Sequence, residues 1–216
     1  MRFALNQIQV HHPPSNHIKD RACTIASKDG VVLGVYLPLQ KPHNETSATT
    51  KRVIFWIFGG AFLAGDVEGN IGVAEKIGTQ CNADVFLAEY RLLPEYEYED
   101  ACQDVYHAYK WLVEERGVAP EHVILYGISS GGGLAVNLMQ RLIETQNEDL
   151  LPAGAVLMCP FVDYTEPQGS MVHYINHDLI VNQVRNVQCA SMWNKIDDLL
   201  LTAYLLYPLL FGFNNS

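Results

Sequence analysis

The sequence predicts an α/β protein with a mostly parallel sheet flanked by helices. Short, continuous apolar runs, of the length expected for strands buried on both faces, occur at residues 53–57, 85–88, 123–126 and 155–158. Apolar residues at helical spacing lie between these runs, most clearly over positions 101–112 and 135–142. Strands that alternate with helices along a chain are typical of a parallel sheet.

The two ends of the chain have sequence patterns that differ from the alternation of strands and helices in the middle. Residues 31–39 predict a strand and the polar stretch 41–50 predicts a loop, so roughly the first 50 residues are expected to form an antiparallel edge. Beyond Thr165 the alternation of strand and helix patterns stops. The Leu-rich run at 199–213 is shorter than the roughly 18 to 20 apolar residues that span a bilayer, so no membrane span is expected.

Composition narrows the class of function. The formal charge of −10 argues against a nucleic-acid partner, because phosphate binding needs clustered Lys and Arg. The five cysteines are scattered without the spacing of a zinc site, and no metal is expected. The first 14 residues lack the pattern of a secretory signal peptide, so a cytoplasmic location is expected.

The strongest motif is Gly-Ile-Ser-Ser-Gly at 127–131, directly between a predicted strand and a predicted helix. In a nucleophile elbow of the Gly-X-Ser-X-Gly form, a serine at the tip of a sharp turn points its hydroxyl over the sheet. Glycines on either side avoid crowding the strained serine. Ser129 is therefore the candidate nucleophile; the alternative is a glycine-rich turn that only permits close packing.

A second motif, Phe-Gly-Gly-Ala-Phe at 58–62, directly follows the predicted strand 53–57. Loops of this kind supply backbone N–H groups to an oxyanion, and the residue after the nucleophile supplies another. The candidate oxyanion-hole donors are Gly60, Ala61 and Ser130. The alternatives are an ordinary βα turn or a phosphate-binding loop, although the glycines do not extend to a dinucleotide fingerprint.

Several segments taken together resemble one family. They are WIFGGAF at 56–62, YRLLPE at 90–95, Asp104 in the next predicted helix, GISSGG at 127–132 and PFVDYT at 160–165. In order and spacing they are similar to the hormone-sensitive-lipase-like α/β-hydrolases, which include the arylacetamide-deacetylase-like esterases. Those proteins carry a His-Gly-Gly-Gly loop, a Tyr-Arg-Leu-Ala-Pro-Glu turn and a Gly-Asp-Ser-Ala-Gly-Gly elbow.

The resemblance implies an α/β-hydrolase fold and a serine-dependent carboxylester hydrolase that acts on short acyl or aryl esters without a cofactor. It also implies one partial domain over 1–216 that lacks the C-terminal strands, with a core at 17–165 and a cap-like or divergent tail at 166–216. Three residues depart from the family pattern: Phe58 replaces the loop histidine, Ala61 the third glycine and Ile128 the elbow aspartate.

In this fold the serine is followed along the chain by an acid and then a histidine, and the family places both beyond residue 216. Within the sequence, Asp163 and His177 are the candidate triad partners, although their spacing matches nothing in the family. Three interpretations stay open: an esterase, a non-catalytic homologue that binds an ester or a similar apolar ligand, and an inactive fragment.

Overall fold

The computed structural model describes residues 22–27, 30–39 and 52–162. All of these except Val162 belong to the first of two compact units, Met1–Phe161; the second is Val162–Ser216. The described strands and α-helices, in chain order, are β1 (Cys23–Ala26), β2 (Val32–Leu37), β3 (Val53–Ile57), α1 (Val67–Cys81), β4 (Asp84–Ala88), α2 (Tyr98–Lys110), β5 (Val123–Ile128), α3 (Ser130–Glu144) and β6 (Gly154–Met158).

The sheet has the strand order β1-β2-β4-β3-β5-β6. Strands β4, β3, β5 and β6 are parallel, whereas β1 and β2 are antiparallel to their neighbours. The predicted α/β class and the antiparallel edge are therefore confirmed. Because β3, β5 and β6 run the same way, the loops that follow them meet at one edge of the sheet.

The sheet separates α1 from α2. Successive strand residues point to opposite faces, and on β3 the ring of Phe55 contacts Tyr109 of α2, with 5.5 Å between ring centroids. The next residue, Trp56, donates from Nε1 to Oδ1 of Asn70 in α1 at 3.4 Å. Every residue of β3 is buried, so the strand that leads into the Phe58–Phe62 loop is fixed from both sides.

Helix α1 is the element that sequence periodicity missed. Three of its buried residues are Gly72, Ala74 and Gly78, so the helix packs through small side chains instead of a stripe of large apolar ones. A Cβ at Gly78 would lie 2.5 Å from Cγ2 of Val85, which shows how closely α1 approaches β4. A helix that packs in this way leaves only a weak apolar period in the sequence.

Residues 155–158 form a strand as predicted, but the prediction that this strand is buried on both faces is wrong. Strand β6 lies at the end of the described sheet, and Val156 and Met158 are 45% and 48% exposed. A continuous apolar run cannot distinguish a central strand from an edge strand, because strand order depends on contacts that are distant in the sequence.

No helix in the described ranges combines the length and apolar character needed to cross a membrane. The same ranges contain no group of three or more His, Cys, Asp and Glu side chains placed to hold a metal ion.

A half-buried carboxyl group lies at the start of α1. The carboxyl of Glu89, directly after β4, accepts a hydrogen bond from the backbone N–H of Val67. Burial raises the pKa of Glu89 to about 7; the hydrogen bond from Val67 opposes this change, and the nearby charge of Asp66 adds to it. Asp66 itself caps the helix, because its Oδ1 accepts from the N–H of Gly69 at 2.6 Å.

The raised pKa gives a pH-dependent prediction. The folded protein binds the Glu89 proton more tightly than the unfolded chain, so this group favours folding below its ordinary pKa and becomes unfavourable as pH rises towards 7. The Glu89→Gln variant removes the half-buried charge, and we expect it to be about 1 to 2 kcal/mol more stable than the parent at pH 8. At pH 4 the difference should disappear. Urea unfolding at both pH values measures it, and equal stabilities at pH 8 would contradict the assignment.

Candidate active site

Ser129 lies at the turn between β5 and α3, with φ 52° and ψ −118°. Residues other than glycine rarely adopt a positive φ, and such strain persists only where the surroundings fix the backbone. The N–H of Ser129 donates to the carbonyl of Met158 at 2.9 Å. Its own carbonyl accepts from Gly132 at 2.9 Å and from Phe161 at 2.9 Å, so both of its backbone polar groups are held. The residue itself is partly exposed.

The elbow requires glycines because other backbone atoms lie very close to these positions. A Cβ at Gly131 would lie 2.3 Å from the carbonyl oxygens of both Ile57 and Phe58, at the end of β3. A Cβ at Gly127 would lie 2.7 Å from the carbonyl oxygen of Gly131. Real Cβ atoms do not approach backbone oxygens this closely. A larger residue at 131 would push the elbow away from the end of β3, and one at 127 would distort the turn into α3.

The Phe58–Phe62 loop lies directly beside the serine. A Cβ built on Gly59 would be 3.1 Å from Cβ of Ser129 and 2.7 Å from the carbonyl oxygen of Ile128. The structure thus brings together the loop and the elbow, which the sequence singled out separately. Gly59 is a residue that sequence reasoning left without a role, since its importance depends on this contact across the sheet.

The three predicted donors lie on these two segments. Gly60 and Ala61 belong to the loop, and Ser130 is the first residue of α3. Within the ranges that the structure describes, none of their backbone N–H groups has a hydrogen-bond acceptor. Backbone amides without acceptors are suited to an oxygen atom that develops negative charge. The hydroxyl of Ser130 is fully buried and has no partner among the described residues.

The loop backbone is strained over consecutive residues. Gly60 has φ 144°, Ala61 has φ 55° and Phe62 has φ 60°. The N–H groups of Leu63 and Ala64 both donate to the carbonyl of Gly60 at 3.0 Å and close a tight turn. Of these three residues only Gly60 is a glycine, which adopts such dihedrals without steric cost.

Phe58 occupies the loop position where the resemblance expects histidine. Its side chain is completely buried and stacks on the ring of Tyr90, with centroids 4.2 Å apart and planes at 16°. The hydroxyl of Tyr90 donates to the carbonyl of Phe58 at 2.8 Å. An aromatic pair therefore replaces any polar role that a histidine would have at this position.

Neither proposed triad partner can be located, because Asp163 and His177 lie outside the described residues. Residues 52–162 contain two histidines. His107 is exposed in the last turn of α2. His122 directly precedes β5, whose opposite end carries Ser129, and six strand residues extend about 20 Å, so His122 is too distant to serve as the base for Ser129.

A single substitution tests the loop geometry. Replacing Ala61 by glycine should relieve left-handed strain at the cost of some backbone entropy, and we expect Ala61→Gly to raise the free energy of unfolding by about 0.5 to 1 kcal/mol. The matched control is Ala64→Gly, at a buried residue whose φ is not positive, which should lower stability by about 1 kcal/mol. Chemical denaturation measures both. Losses of equal size in the two variants would contradict the strained geometry.

Comparison with known proteins places this arrangement in a family. The family model described as alpha/beta hydrolase fold matches residues 54–209. An esterase of Acinetobacter venetianus is 30% identical over 138 residues, which cover 64% of this chain and 45% of that protein. The arylacetamide deacetylase of Oryctolagus cuniculus is 32% identical over 139 residues, which cover 61% of this chain and 33% of that protein.

A solved structure agrees with these relatives in fold. An esterase from the bacterial hormone-sensitive lipase family superposes with a TM-score of 0.70 at 24% identity, over 89% of this chain and 60% of that one. The chain spans less than half the length of the two relatives named above. The expected likeness to hormone-sensitive-lipase-like proteins is confirmed, and the chain belongs to the α/β-hydrolase fold family.

Proposed function

We propose that this chain carries the nucleophile and oxyanion hole of a serine-dependent carboxylester hydrolase. The observation that carries the proposal is the contact between loop and elbow, where Gly59 lies against Ser129 with 3.1 Å between the built Cβ of one and the Cβ of the other. This contact puts amides without acceptors next to a partly exposed serine. Acyl transfer needs this combination of a nucleophile and fixed donors.

The proposed reaction begins when Oγ of Ser129 attacks the ester carbonyl carbon. A C–O bond forms, the carbonyl oxygen becomes an oxyanion, and the serine proton passes to a base. The N–H groups of Gly60, Ala61 and Ser130 stabilise the oxyanion, and removing one such donor typically lowers kcat by about 10² to 10³. The intermediate then expels the alcohol, which takes the proton from the base, and water releases the acid from the acyl-enzyme.

The identity of the general base is also proposed. His177, oriented by Asp163, is the candidate within this sequence, and the reaction requires it to come within about 2.6 to 3.2 Å of the serine oxygen. The substrates proposed are short acyl or aryl esters, in line with the esterase and arylacetamide deacetylase relatives. No residue in the proposed scheme uses a cofactor.

A second function is favoured by one observation, the buried aromatic pair at the loop. With Phe58 stacked on Tyr90 in place of a polar side chain, the site could bind an apolar ester-like ligand without turning it over. This function requires no base at Ser129. It predicts ligand binding that survives removal of the serine hydroxyl.

Hydrolysis of p-nitrophenyl acetate and butyrate separates the two functions. We expect Ser129→Ala to lower kcat/KM by roughly 10³-fold or more, since loss of the nucleophile removes the covalent step. The matched control is Ser27→Ala, which removes a serine hydroxyl that accepts from the N–H of Val31 in the β1–β2 turn. It should hydrolyse both esters at the parent rate. Equal rates in the parent and Ser129→Ala would reject the esterase and leave the non-catalytic function and the inactive fragment.

A further inference from the structure

The segment 90–98, which we call the brace, contacts the Phe58–Phe62 loop. The backbone N–H of Leu93 donates to the carbonyl of Phe62 at 2.9 Å. The hydroxyl of Tyr90 reaches the carbonyl of Phe58 at 2.8 Å, as described above. Backbone carbonyls at the first and last residues of the loop are therefore both tied to the brace.

Aromatic rings add two contacts between the same segments. Tyr90 stacks on Phe58, and the ring of Tyr98 meets Phe62 edge-on, with centroids 5.3 Å apart and planes at 88°. Both loop phenylalanines are at least 99% buried. The brace thus packs against the loop by side chains as well as by hydrogen bonds, and a displacement of the brace would move the loop.

Arg91 of the brace forms ion pairs with two carboxylates of α2, those of Asp104 and Asp100. Asp104 accepts from the side chain of Arg91 with both carboxylate oxygens, from Nε and Nη2 at 2.8 Å each, and from the backbone N–H of Arg91 at 2.9 Å. Asp100 adds a contact from Nη1 at 3.0 Å. The Asp104 side chain is only 13% exposed. A bidentate pair fixes both the position and the orientation of the guanidinium group.

The loop needs such external support. Ala61 and Phe62 are consecutive residues other than glycine at positive φ, and a backbone of this kind persists only when its surroundings determine it. The turn bonds from Leu63 and Ala64 to Gly60 hold the far side of the loop. The carbonyl of Phe62 is held by Leu93, so the strained residues lie between two fixed points.

We propose that Asp104 is a positioning residue for the oxyanion loop. Through Arg91 and the brace it maintains the dihedrals that leave the amides of Gly60 and Ala61 unpaired. The role of those amides rests on the proposed function, whereas the contacts from Asp104 through Arg91 and the brace to the loop do not depend on it. Asp104 contacts neither the loop nor Ser129 in the contacts described, and its effect passes through Arg91.

Hydrogen exchange in the whole protein tests the link without any need for turnover. In Asp104→Asn the amides of Leu93, Leu63 and Ala64 should exchange about tenfold faster than in the parent, while those of Phe55 in β3 and Leu125 in β5 keep their rates. Arg91→Lys retains the charge but loses the bidentate geometry, and it should change the same amides in the same direction. This second variant keeps the test available if Asp104→Asn folds poorly.

The control is Glu114→Gln, which removes the ion pair between Glu114 and Lys110, the last residue of α2, and should leave the exchange rates of the loop amides unchanged. Unchanged loop exchange in both Asp104→Asn and Arg91→Lys would overturn the proposal. An equal increase in the exchange rates of the loop amides and of the core-strand amides would also overturn it, because Asp104 would then be a purely structural residue.

Kinetics add a readout that depends on the proposed function. If the parent hydrolyses p-nitrophenyl butyrate, Asp104→Asn should lower kcat by about tenfold with little change in KM, because the oxyanion donors act in the transition state. A parent without hydrolysis, combined with faster loop exchange in Asp104→Asn, would reject the esterase function and still support the positioning role.

Discussion

The backbone of Ser129 is the constraint on which the rest of the site depends. Its dihedrals lie where side chains other than glycine are strained, and strain of this kind costs about 1 to 3 kcal/mol. The fold sustains it by fixing both backbone polar groups of the serine and by bringing the end of β3 against the start of α3. Gly131 permits that contact because any side chain there would meet two carbonyl oxygens.

The two halves of the site are stabilised in different ways. The elbow is fixed locally, by glycines and by hydrogen bonds to β6 and the residues that follow it. The Phe58–Phe62 loop contains Ala61 and Phe62 at positive φ and contacts a neighbouring segment that is itself tied to α2 by Arg91 and Asp104. We therefore expect a substitution far from Ser129 to disturb the proposed donors without altering the proposed nucleophile.

Much of the architecture could be predicted from the sequence, because buried strands have an apolar run and the elbow has a glycine pattern. Strand β3 has the bounds that the sequence predicts, and α3 begins at Ser130, before the predicted apolar pattern at 135–142. Helix α1 was missed because it packs through glycine and alanine. The exposure of β6 could not be predicted, because a strand's place in the sheet depends on its spatial neighbours.

The residues of the candidate site stand out in the sequence, but their spatial arrangement does not. Ser129 and the loop glycines stand out in the sequence, and the resemblance supplied their roles. The contact of Gly59 with Ser129 and the bond from Leu93 to Phe62 join residues from different elements, so no local pattern reveals them. The assignment of Asp163 and His177 remains a prediction.

Labelling with a fluorophosphonate probe, followed by peptide mapping, would show whether Ser129 is an activated nucleophile, because the probe forms a covalent bond with an activated serine. We expect a single phosphonylated peptide that contains Ser129, with labelling lost when the protein is unfolded beforehand. Hydrolysis of p-nitrophenyl esters by a protein whose Ser129 stays unlabelled would contradict it.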